Sequence, residues 1–200
     1  AISLSSAQIF KSVKVWEKIQ AKRISPYREM RVWDANSDGN IHFNCREVNE
    51  AQLGFIIEDG VMRSSLVERL AEVANIELLF PKKLKSLREK EDCMELELED
   101  QQVIRTQLLI GADGANSLVR ELAAIQLQTK DYEHTAIVTT VETDLSHQQT
   151  AWQRFLASGP LAFLPLQNKI QFAIVWSTSH PHAKELLSLS EDDFRQALRD

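Results

Sequence analysis

The stretch from Gln107 to Arg120 constrains the fold of this chain more than any other part of the sequence. A short apolar run, Leu108 to Ile110, predicts a buried strand. The run ends at a glycine-bracketed acidic turn, Gly111-Ala-Asp-Gly114, and a predicted helix follows that carries Ser117 and Arg120. Strand, glycine turn and helix in this order bring backbone N–H groups and a helix N-terminus close to a ligand phosphate. The segment therefore predicts an α/β element and a candidate ligand contact.

The turn has two interpretations that its spacing alone leaves open. Its glycines do not follow the Gly-x-Gly-x-x-Gly pattern of dinucleotide sites, and Asp113 lies between them. Because a carboxylate repels phosphate, Asp113 would accept a hydrogen bond from a ribose hydroxyl or from a neighbouring N–H. The alternative is a turn in which Asp113 only caps the helix through an Asx-type bond.

Composition excludes several classes of protein. The chain has 200 residues, 44% of them hydrophobic, which is enough for one or two small domains. The formal charge of −6 argues against a nucleic-acid binder. No apolar run is long enough to span a bilayer, and no signal peptide opens the sequence. Cys45 and Cys93 are expected to be free thiols in a reducing cytoplasm. The pair His180 and His182 lacks the ligand pattern of a metal site, so no metal is predicted.

Hydrophobic periodicity predicts a mixed architecture. Helices are expected at residues 3–19, 61–73 and 117–124, and another after a capping box at Ser190 to Asp193. Strands are expected at 28–35, 40–45, 52–58, 76–80, 82–89, 93–99, 103–110, 135–142, 151–156, 162–166 and 169–177. The turn Asn36-Ser-Asp-Gly39 predicts a hairpin between the first two strands. The helices and strands are interleaved along the sequence, so two domains that the chain crosses several times are expected.

The run Leu109 to Arg120 resembles the DG motif of the class A flavoprotein monooxygenases. Other runs are similar to those of the ubiquinone-biosynthesis hydroxylases in that family: Val32-Trp-Asp34, Leu53 to Glu58, Gly159 to Leu166 and Val175-Trp-Ser177. Three runs are most similar to the VisC-like branch, the 2-octaprenylphenol hydroxylases: Val32 to Asp34 together with Asp38 to Phe43, and Ser190 to Phe194. The resemblance extends over essentially the whole chain.

This resemblance implies a p-hydroxybenzoate-hydroxylase-like fold of mixed α+β and α/β class. It implies that residues 1–22 and 60–125 form part of an FAD-binding domain. Residues 23–59 and 126–200 would form an incomplete substrate-binding domain with an antiparallel sheet. The implied cofactors are FAD and NAD(P)H. The implied reaction is hydroxylation of the ring of a polyprenylated phenol by O₂ in ubiquinone biosynthesis, through a flavin C4a-hydroperoxide.

The motif implies a cofactor contact for five residues: Gly111, Asp113, Gly114, Ser117 and Arg120. In the family, Asp113 and Gly114 would face the cofactor and Gly111 would allow the turn. Ser117 and Arg120 would fix the start of the helix and offer a charge toward the pyrophosphate. No catalytic residue is assigned, because the difficult chemistry belongs to the cofactor.

An apolar sheet face is expected to bind the polyprenylated phenol. Phe163, Pro165 and Trp176 are the candidates, because they alternate on strands in the runs that resemble the quinone branch. The alternative for each is a plain core residue. Glu58 and Asp59 could act as acid and base, but Asp59 is expected to cap a helix and Glu58 to form a surface ion pair.

The family's Gly-x-Gly-x-x-Gly turn would precede Ala1 and its Gly-Asp motif would follow Asp200. The chain is therefore expected to hold the middle of the fold, to be inactive alone and not to retain FAD. Contact with the inner membrane is expected to be peripheral at most. Two alternatives stay open: a paralogous hydroxylase with another substrate, and a non-catalytic module that docks into a quinone-biosynthesis complex through residues 36–40. A nicotinamide-only dehydrogenase is disfavoured, because its glycine fingerprint is absent.

Overall fold

The computed structural model describes residues 1–199 of the chain and contains two compact units. Unit 1 combines residues 1–73 with the residues from Asp131 onward, and unit 2 is the segment from Ala74 to Lys130. The unit boundaries fall at other positions than the predicted domain boundaries. The assignment of residues 1–22 and 60–125 to FAD, and of 23–59 and 126–200 to substrate, stays a prediction.

The helices and strands follow one another along the chain in three groups. The first part of unit 1 contains β1 (Ile2–Ser3), α1 (Leu4–Ser12), α2 (Trp16–Gln20), β2 (Ser25–Tyr27), β3 (Glu29–Asp34), β4 (Asn40–Asn44), β5 (Gly54–Ile56) and α3 (Asp59–Ala71). Unit 2 contains β6 (Leu84–Glu89), β7 (Met94–Leu98), β8 (Val103–Thr106) and α4 (Leu118–Leu122). The second part of unit 1 contains β9 (His134–Glu142), β10 (Thr150–Leu156), β11 (Gly159–Pro165), β12 (Gln171–Ser179), α5 (His180–Ser188) and α6 (Glu191–Arg199).

Unit 1 is organised around a six-stranded sheet in the order β4-β3-β10-β11-β12-β9. The hairpin predicted around residues 36–39 is confirmed, because β3 and β4 pair antiparallel on either side of it. The predicted strands after residue 134 are confirmed as β9 to β12. One ladder differs from the antiparallel expectation, since β3 and β10 run parallel. Strands that are distant in sequence pair here, and local periodicity does not report their relative direction.

The two faces of this sheet differ in what covers them. Alternate residues of β11 and β12, including Leu161, Ile174 and Trp176, pack with Ala183 and Leu186 of α5 in the main core. Phe194 of α6 packs against the same cluster. Helix α5 is not among the helices that the sequence predicts. In the structure Pro181 occupies its first turn, where a missing N–H costs nothing.

A second core joins α1, α2 and α3. Its buried residues are Ala7, Val15, Trp16, Ile19, Ile57 and Val61. The single helix predicted from residue 3 to 19 is wrong in one respect, because it breaks into α1 and α2 at Lys14, which has a φ of 60°. The break lets Val15 and Trp16 turn into the core, where they are 0% and 4% exposed. Ser3 caps α1, with its side chain accepting a hydrogen bond from the N–H of Ser6.

Unit 2 is a three-stranded meander in the order β6-β7-β8 followed by α4, as the sequence predicts. Two predicted strands are wrong: residues 76–80 and 108–110 are not strands. Both segments are apolar, yet among the described residues no strand lies beside them to complete a ladder. Phe80 and Ile110 are accordingly 93% and 75% exposed. An apolar run specifies burial, but a strand also needs a hydrogen-bonding neighbour.

Candidate functional site

The turn between Gly111 and Arg120 is held together by Asp113. One of its carboxylate oxygens accepts a hydrogen bond from the Ser117 hydroxyl. The other accepts a hydrogen bond from the backbone N–H of Val119 at 3.1 Å. Both oxygens are therefore engaged at the start of α4, as the capping interpretation expects.

Ser117 and Arg120 complete the same network. Ser117 is the N-cap of α4, and its hydroxyl oxygen accepts a hydrogen bond from the N–H of Arg120 at 3.0 Å. The Arg120 guanidinium donates to the carbonyl of Ala115 at 2.8 Å, which closes the turn from the other side. Hydrogen bonds within residues 113–120 therefore stabilise the turn.

The electrostatics of the turn follow from these contacts. The hydrogen bond from Ser117, followed by that from the Val119 N–H, holds the pKa of the Asp113 carboxyl below its usual range. Asp113 is therefore a carboxylate at neutral pH. Arg120 has no carboxylate within ion-pair distance among residues 1–199, so its positive charge is not neutralised inside the turn.

Glycine is favoured at positions 111 and 114 for two different structural reasons. A Cβ at Gly111 would approach the Cγ1 of Val119 to 3.0 Å, so a side chain there would push against α4. Gly114 has a φ of 92°, a conformation that side-chain-bearing residues rarely adopt. Nothing lies within 4 Å of a Cβ built at Gly114, so the space in front of that backbone is open.

An open cavity of about 530 Å³ adjoins this turn within unit 2. Four of the five predicted cofactor residues line it: Gly111, Gly114, Ser117 and Arg120. The other walls are mainly apolar and include Leu87, Met94, Leu108, Leu109, Val119, Ala123 and Ile125. Asp113 does not line the cavity. The structure therefore brings all five predicted residues into one turn, but directs the carboxylate toward the helix.

Phe163, Pro165 and Trp176, the predicted substrate contacts, lie on the helix-covered face of the six-stranded sheet. Trp176 is 4% exposed and packs at 6.2 Å between ring centroids against Phe194 of α6. Phe163 packs edge-on against Phe172, with centroids 5.7 Å apart. Pro165 is buried and pairs with Phe172 across the strands. A ligand contact for these three residues stays a prediction.

The opposite face of the same sheet is apolar and more exposed. Ile41, Phe43, Val138 and Phe155 are 56%, 46%, 70% and 44% exposed on this open face. Ala162 and Leu164 of β11 alternate with Leu161 and Phe163 of the helix-covered face, so they point to the open face. Sequence reasoning missed these residues. Strict alternation in β11 could have identified them, but it does not say which of its two faces the helices cover.

The remaining candidates have structural roles. Glu58 forms the predicted surface ion pair, with Arg23 at 2.8 Å. Asp59 does not cap α3, because Glu58 occupies the N-cap position without a side-chain bond. Instead Asp59 lies 3.8 Å from Arg63 one turn later.

His180 and His182 bond separately to Thr135 at 2.7 Å and to Thr178 at 2.9 Å. Within residues 1–199, no group of three or more His, Cys, Asp or Glu side chains is placed to hold a metal ion. None of the helices in the same range combines the length and the apolar character that a bilayer crossing requires.

Comparison with known sequences identifies the family. Residues 4–200 match the family described as FAD binding domain. The chain is 36% identical over 204 residues to the mitochondrial ubiquinone biosynthesis monooxygenase COQ6 of Xenopus tropicalis, covering 97% of this chain and 43% of that protein. It is 33% identical over 190 residues to 3-demethoxyubiquinol 3-hydroxylase of Escherichia coli (strain K12), covering 95% and 48%. The chain thus spans less than half of the length of these relatives.

Solved structures share the fold. PqsL, a probable FAD-dependent monooxygenase from Pseudomonas aeruginosa, superposes with a TM-score of 0.83 at 20% identity, over 98% of this chain and 55% of that chain. HpxO of Klebsiella pneumoniae, complexed with FAD and uric acid, gives a TM-score of 0.65 at 16% identity, over 86% and 44%. The predicted mixed α/β fold of the p-hydroxybenzoate-hydroxylase type is confirmed. Since the family match spans all but the first three residues, the chain belongs to the FAD binding domain family, and its resemblance to the ubiquinone-biosynthesis hydroxylases is confirmed.

Proposed function

We propose that the protein carrying this chain is an FAD-dependent monooxygenase that hydroxylates the aromatic ring of a polyprenylated phenol in ubiquinone biosynthesis. The observation that carries this proposal is the family match together with relatives that are named ubiquinone biosynthesis monooxygenase and 3-demethoxyubiquinol 3-hydroxylase. NADH or NADPH is the proposed reductant. The product would be the same ring with one additional hydroxyl group.

The turn from Gly111 to Arg120 fits an anionic dinucleotide such as FAD. Arg120 offers a cation that no carboxylate among the described residues neutralises, and it lines the cavity. Gly114 leaves open space in front of its backbone, where a phosphate or ribose can approach. Asp113 supports these groups through Ser117 and Val119. We propose that Arg120, Ser117 and the backbone at Gly114 contact FAD, with Asp113 as the residue that positions them.

FAD supplies the redox chemistry when it is bound, because reduced flavin activates dioxygen for transfer to an electron-rich ring. The protein then has to bind the ring, orient it and exclude water. No described side chain is needed as nucleophile or metal ligand for these tasks. The residues of this chain would therefore contribute binding and positioning.

We propose that the open face of the six-stranded sheet contributes the wall against which the phenol ring and its apolar chain bind. Ala162 and Leu164 of β11 and Val175 of β12 offer small and medium apolar side chains on that face. Helices cover the other face, where Phe163, Pro165 and Trp176 lie. The proposed location is the cytoplasm. Peripheral membrane contact is proposed as well, because the polyprenyl chain of such a substrate resides in the bilayer.

The proposal is tested by deleting the gene that encodes this chain and measuring quinone intermediates by mass spectrometry. Ubiquinone is expected to fall, and a polyprenylated phenol one oxygen atom short is expected to accumulate. A plasmid copy of the gene restores ubiquinone, and a copy with Gly114→Val, which forces a side chain onto the positive φ, does not. Normal ubiquinone in the deletion strain would rule out the proposed function.

Substitutions at two neighbouring residues of β11 test which face of the sheet binds the substrate. Leu164→Ala in the complete enzyme is expected to raise the KM for the phenol several-fold with little loss of stability, because Leu164 lies on the open face. Phe163→Ala is expected to lower stability by about 3 kcal/mol, because it removes an aromatic ring from a packed cluster. The KM, the thermal midpoint and the coupling of oxygen use to product formation are measured for both variants. A larger KM effect for Phe163→Ala at unchanged stability would move the substrate wall to the other face.

A further inference from the structure

Strand β4 forms one edge of the six-stranded sheet and has a composition that is unusual for an edge. Among the described strands it pairs only with β3. Its five residues, Asn-Ile-His-Phe-Asn, include no Lys, Asp, Glu or Pro. Proteins commonly protect an exposed edge with such residues, because free N–H and C=O groups pair readily with another strand. β4 lacks this protection in a chain of which 26% is charged.

The hydrogen bonds on either side of β4 determine which of its backbone groups face outward. The N–H of Asp34 donates to the carbonyl of Gly39 at 3.0 Å, and the N–H of Cys45 donates to the carbonyl of Arg28 at 2.9 Å. Hydrogen-bonded and non-hydrogen-bonded pairs alternate along an antiparallel ladder. Residues 41 and 43 therefore direct their backbone groups toward β3. Residues 40, 42 and 44 direct theirs toward the free edge.

The sequence of β4 is nearly symmetric about His42, with an apolar residue on each side and an asparagine at each end. Ile41 and Phe43 flank it on the open face, where they are 56% and 46% exposed. Asn40 and Asn44 occupy the two ends on the same side as His42. An interface between identical copies related by a two-fold axis requires a self-complementary surface. An antiparallel copy of β4 centred on His42 meets this requirement at every position.

We infer that β4 pairs antiparallel with β4 of a second copy of this chain, centred on His42. His42 then faces His42 of the second copy, and Asn40 faces Asn44 at both ends. The outward backbone groups of these residues would form about six hydrogen bonds, two for each facing pair. Ile41 of each copy packs against Phe43 of the other in the non-hydrogen-bonded pairs, where side chains approach most closely. The pairing joins two sheets into one with a continuous apolar face.

Because β4 has no Lys, Arg, Asp or Glu, a second copy of this chain is a better partner for it than a charged molecule. On the neighbouring strand β3, Glu29 accepts a hydrogen bond from His42 at 2.9 Å, and Arg31 lies 3.5 Å from the same carboxylate. This small cluster is balanced within each copy, so it offers no net charge to an acidic or basic ligand. Five paired residues bury a small area, so the dimer is expected to be weak, with a dissociation constant on the order of 10 to 100 µM.

Sedimentation equilibrium over chain concentrations of about 5 to 500 µM tests the inference, since this range brackets the expected constant. The wild-type chain is expected to show a monomer–dimer equilibrium. Ile41→Lys, which puts a charge on the edge, is expected to weaken it by at least about tenfold. Val138→Lys is the matched control: it adds the same charge on the same face at the opposite edge strand β9, and it is expected to leave the equilibrium unchanged. Circular dichroism confirms that both variants fold.

Cross-linking tests the register. In a chain whose half-buried Cys93 is replaced by serine, His42→Cys is expected to form an intermolecular disulfide on mild oxidation, since facing Cα atoms lie about 5.5 Å apart. Asn40→Cys is expected not to do so, because the two substituted positions would be separated by about 14 Å along the strands.

Three results would overturn the inference. The first is a chain that stays monomeric throughout the concentration series. The second is a dimer that Val138→Lys weakens and Ile41→Lys does not, which would place the contact at β9. The third is equal cross-linking of both cysteine variants, which would exclude the proposed register.

Discussion

Asp113 has a role in this structure that the spacing of its motif did not decide. Its two carboxylate oxygens accept hydrogen bonds from Ser117 and from the N–H of Val119, which hold the carboxylate against the start of α4. The motif is therefore a self-supported turn that presents Arg120 and the backbone at Gly114 to the cavity. Loss of the carboxylate should affect the proposed FAD contact indirectly, through the position of these groups.

The cap formed by Ser117 can be tested by stability. Ser117→Ala is expected to lower the free energy of unfolding of unit 2 by about 1 kcal/mol, because the N–H of Arg120 loses its acceptor. Ser117→Thr keeps a hydroxyl at the cap and is expected to retain most of that stability. Urea denaturation followed by circular dichroism measures both. Equal midpoints for the alanine variant and the wild type would contradict the cap.

The ionisation of Asp113 provides a pH test. Its folded-state pKa lies below the ordinary value, first because Ser117 donates to it and then because the Val119 N–H does. A depressed pKa means that the carboxylate stabilises the fold above the ordinary aspartate pKa of about 4 and that this contribution is lost as the pH falls through the lower, folded-state value. An NMR titration of the Asp113 carboxyl is expected to show a midpoint below the model-peptide value of about 4, and Ser117→Ala is expected to raise it. A midpoint that does not respond to Ser117→Ala would contradict the assignment.

The grouping of the residues in the turn from Gly111 to Arg120 could be predicted from the sequence because they are close together along the chain. Gly111, Asp113 and Arg120 are brought together by one turn and the start of one helix, so local spacing was sufficient. Phe163 and Trp176 were identified as aromatic residues on alternating strands, and that alternation is present. The face that is covered is determined by α5 and α6, which lie outside β11 and β12 in the sequence and pack on one side of them. That information is not local.

At the scale of elements, the strands with strict alternation and a neighbour along the chain were predictable. Strands β3 and β4, and strands β10 to β12, are examples, because short connections join strands that pair with each other. The segments 76–80 and 108–110 were not, because strand formation depends on a partner as well as on composition. The break between α1 and α2 depends on the positive φ of Lys14. The sequence does not predict this break, because it has no glycine or proline at that position.

Replacement of two glycines by alanine is expected to change stability in opposite directions. Gly159 begins β11 with a φ of 130°, and a Cβ there would lie 2.2 Å from the carbonyl oxygen of Ser177 in β12. Gly159→Ala is expected to destabilise the chain by about 2 kcal/mol or more. Gly60 in α3 has open space, so Gly60→Ala is expected to stabilise it by about 0.5 to 1 kcal/mol. Thermal denaturation of both variants checks the pair, and a tolerated Gly159→Ala would contradict the described ladder.

Trp176 of β12 packs between the six-stranded sheet and the helices α5 and α6. The ring is 4% exposed, and its indole N–H has no hydrogen-bond partner among the described residues. Trp176→Ala is expected to cost about 3 to 5 kcal/mol, because it leaves a cavity under α5 and α6. Trp176→Phe is expected to cost less, because it keeps a ring and removes an unpaired N–H. Urea denaturation measures both, and a small effect of Trp176→Ala would argue for a ligand-facing role instead of a core role.

At the scale of the whole molecule, the family, the fold and the proposed chemistry rest on different observations. Family membership follows from the match over residues 4–200, and the fold follows from the likeness to solved structures. The sequence predicted both, because its motifs lie in short continuous runs that can be read without knowledge of the fold. Substrate and reductant are proposals that need the complete protein, since the chain covers 43% to 48% of the relatives named above.

The reaction proposed for the complete protein is ring hydroxylation with an oxygen atom taken from O₂. The most direct measurement is mass spectrometry of the product that the purified complete protein forms from a prenylated phenol under isotopically labelled dioxygen, with FAD and NADH or NADPH present. One labelled hydroxyl group is expected on the ring, and no product is expected when the reductant is omitted. A protein that binds FAD but leaves the phenol unchanged, or a product whose oxygen comes from water, would contradict it.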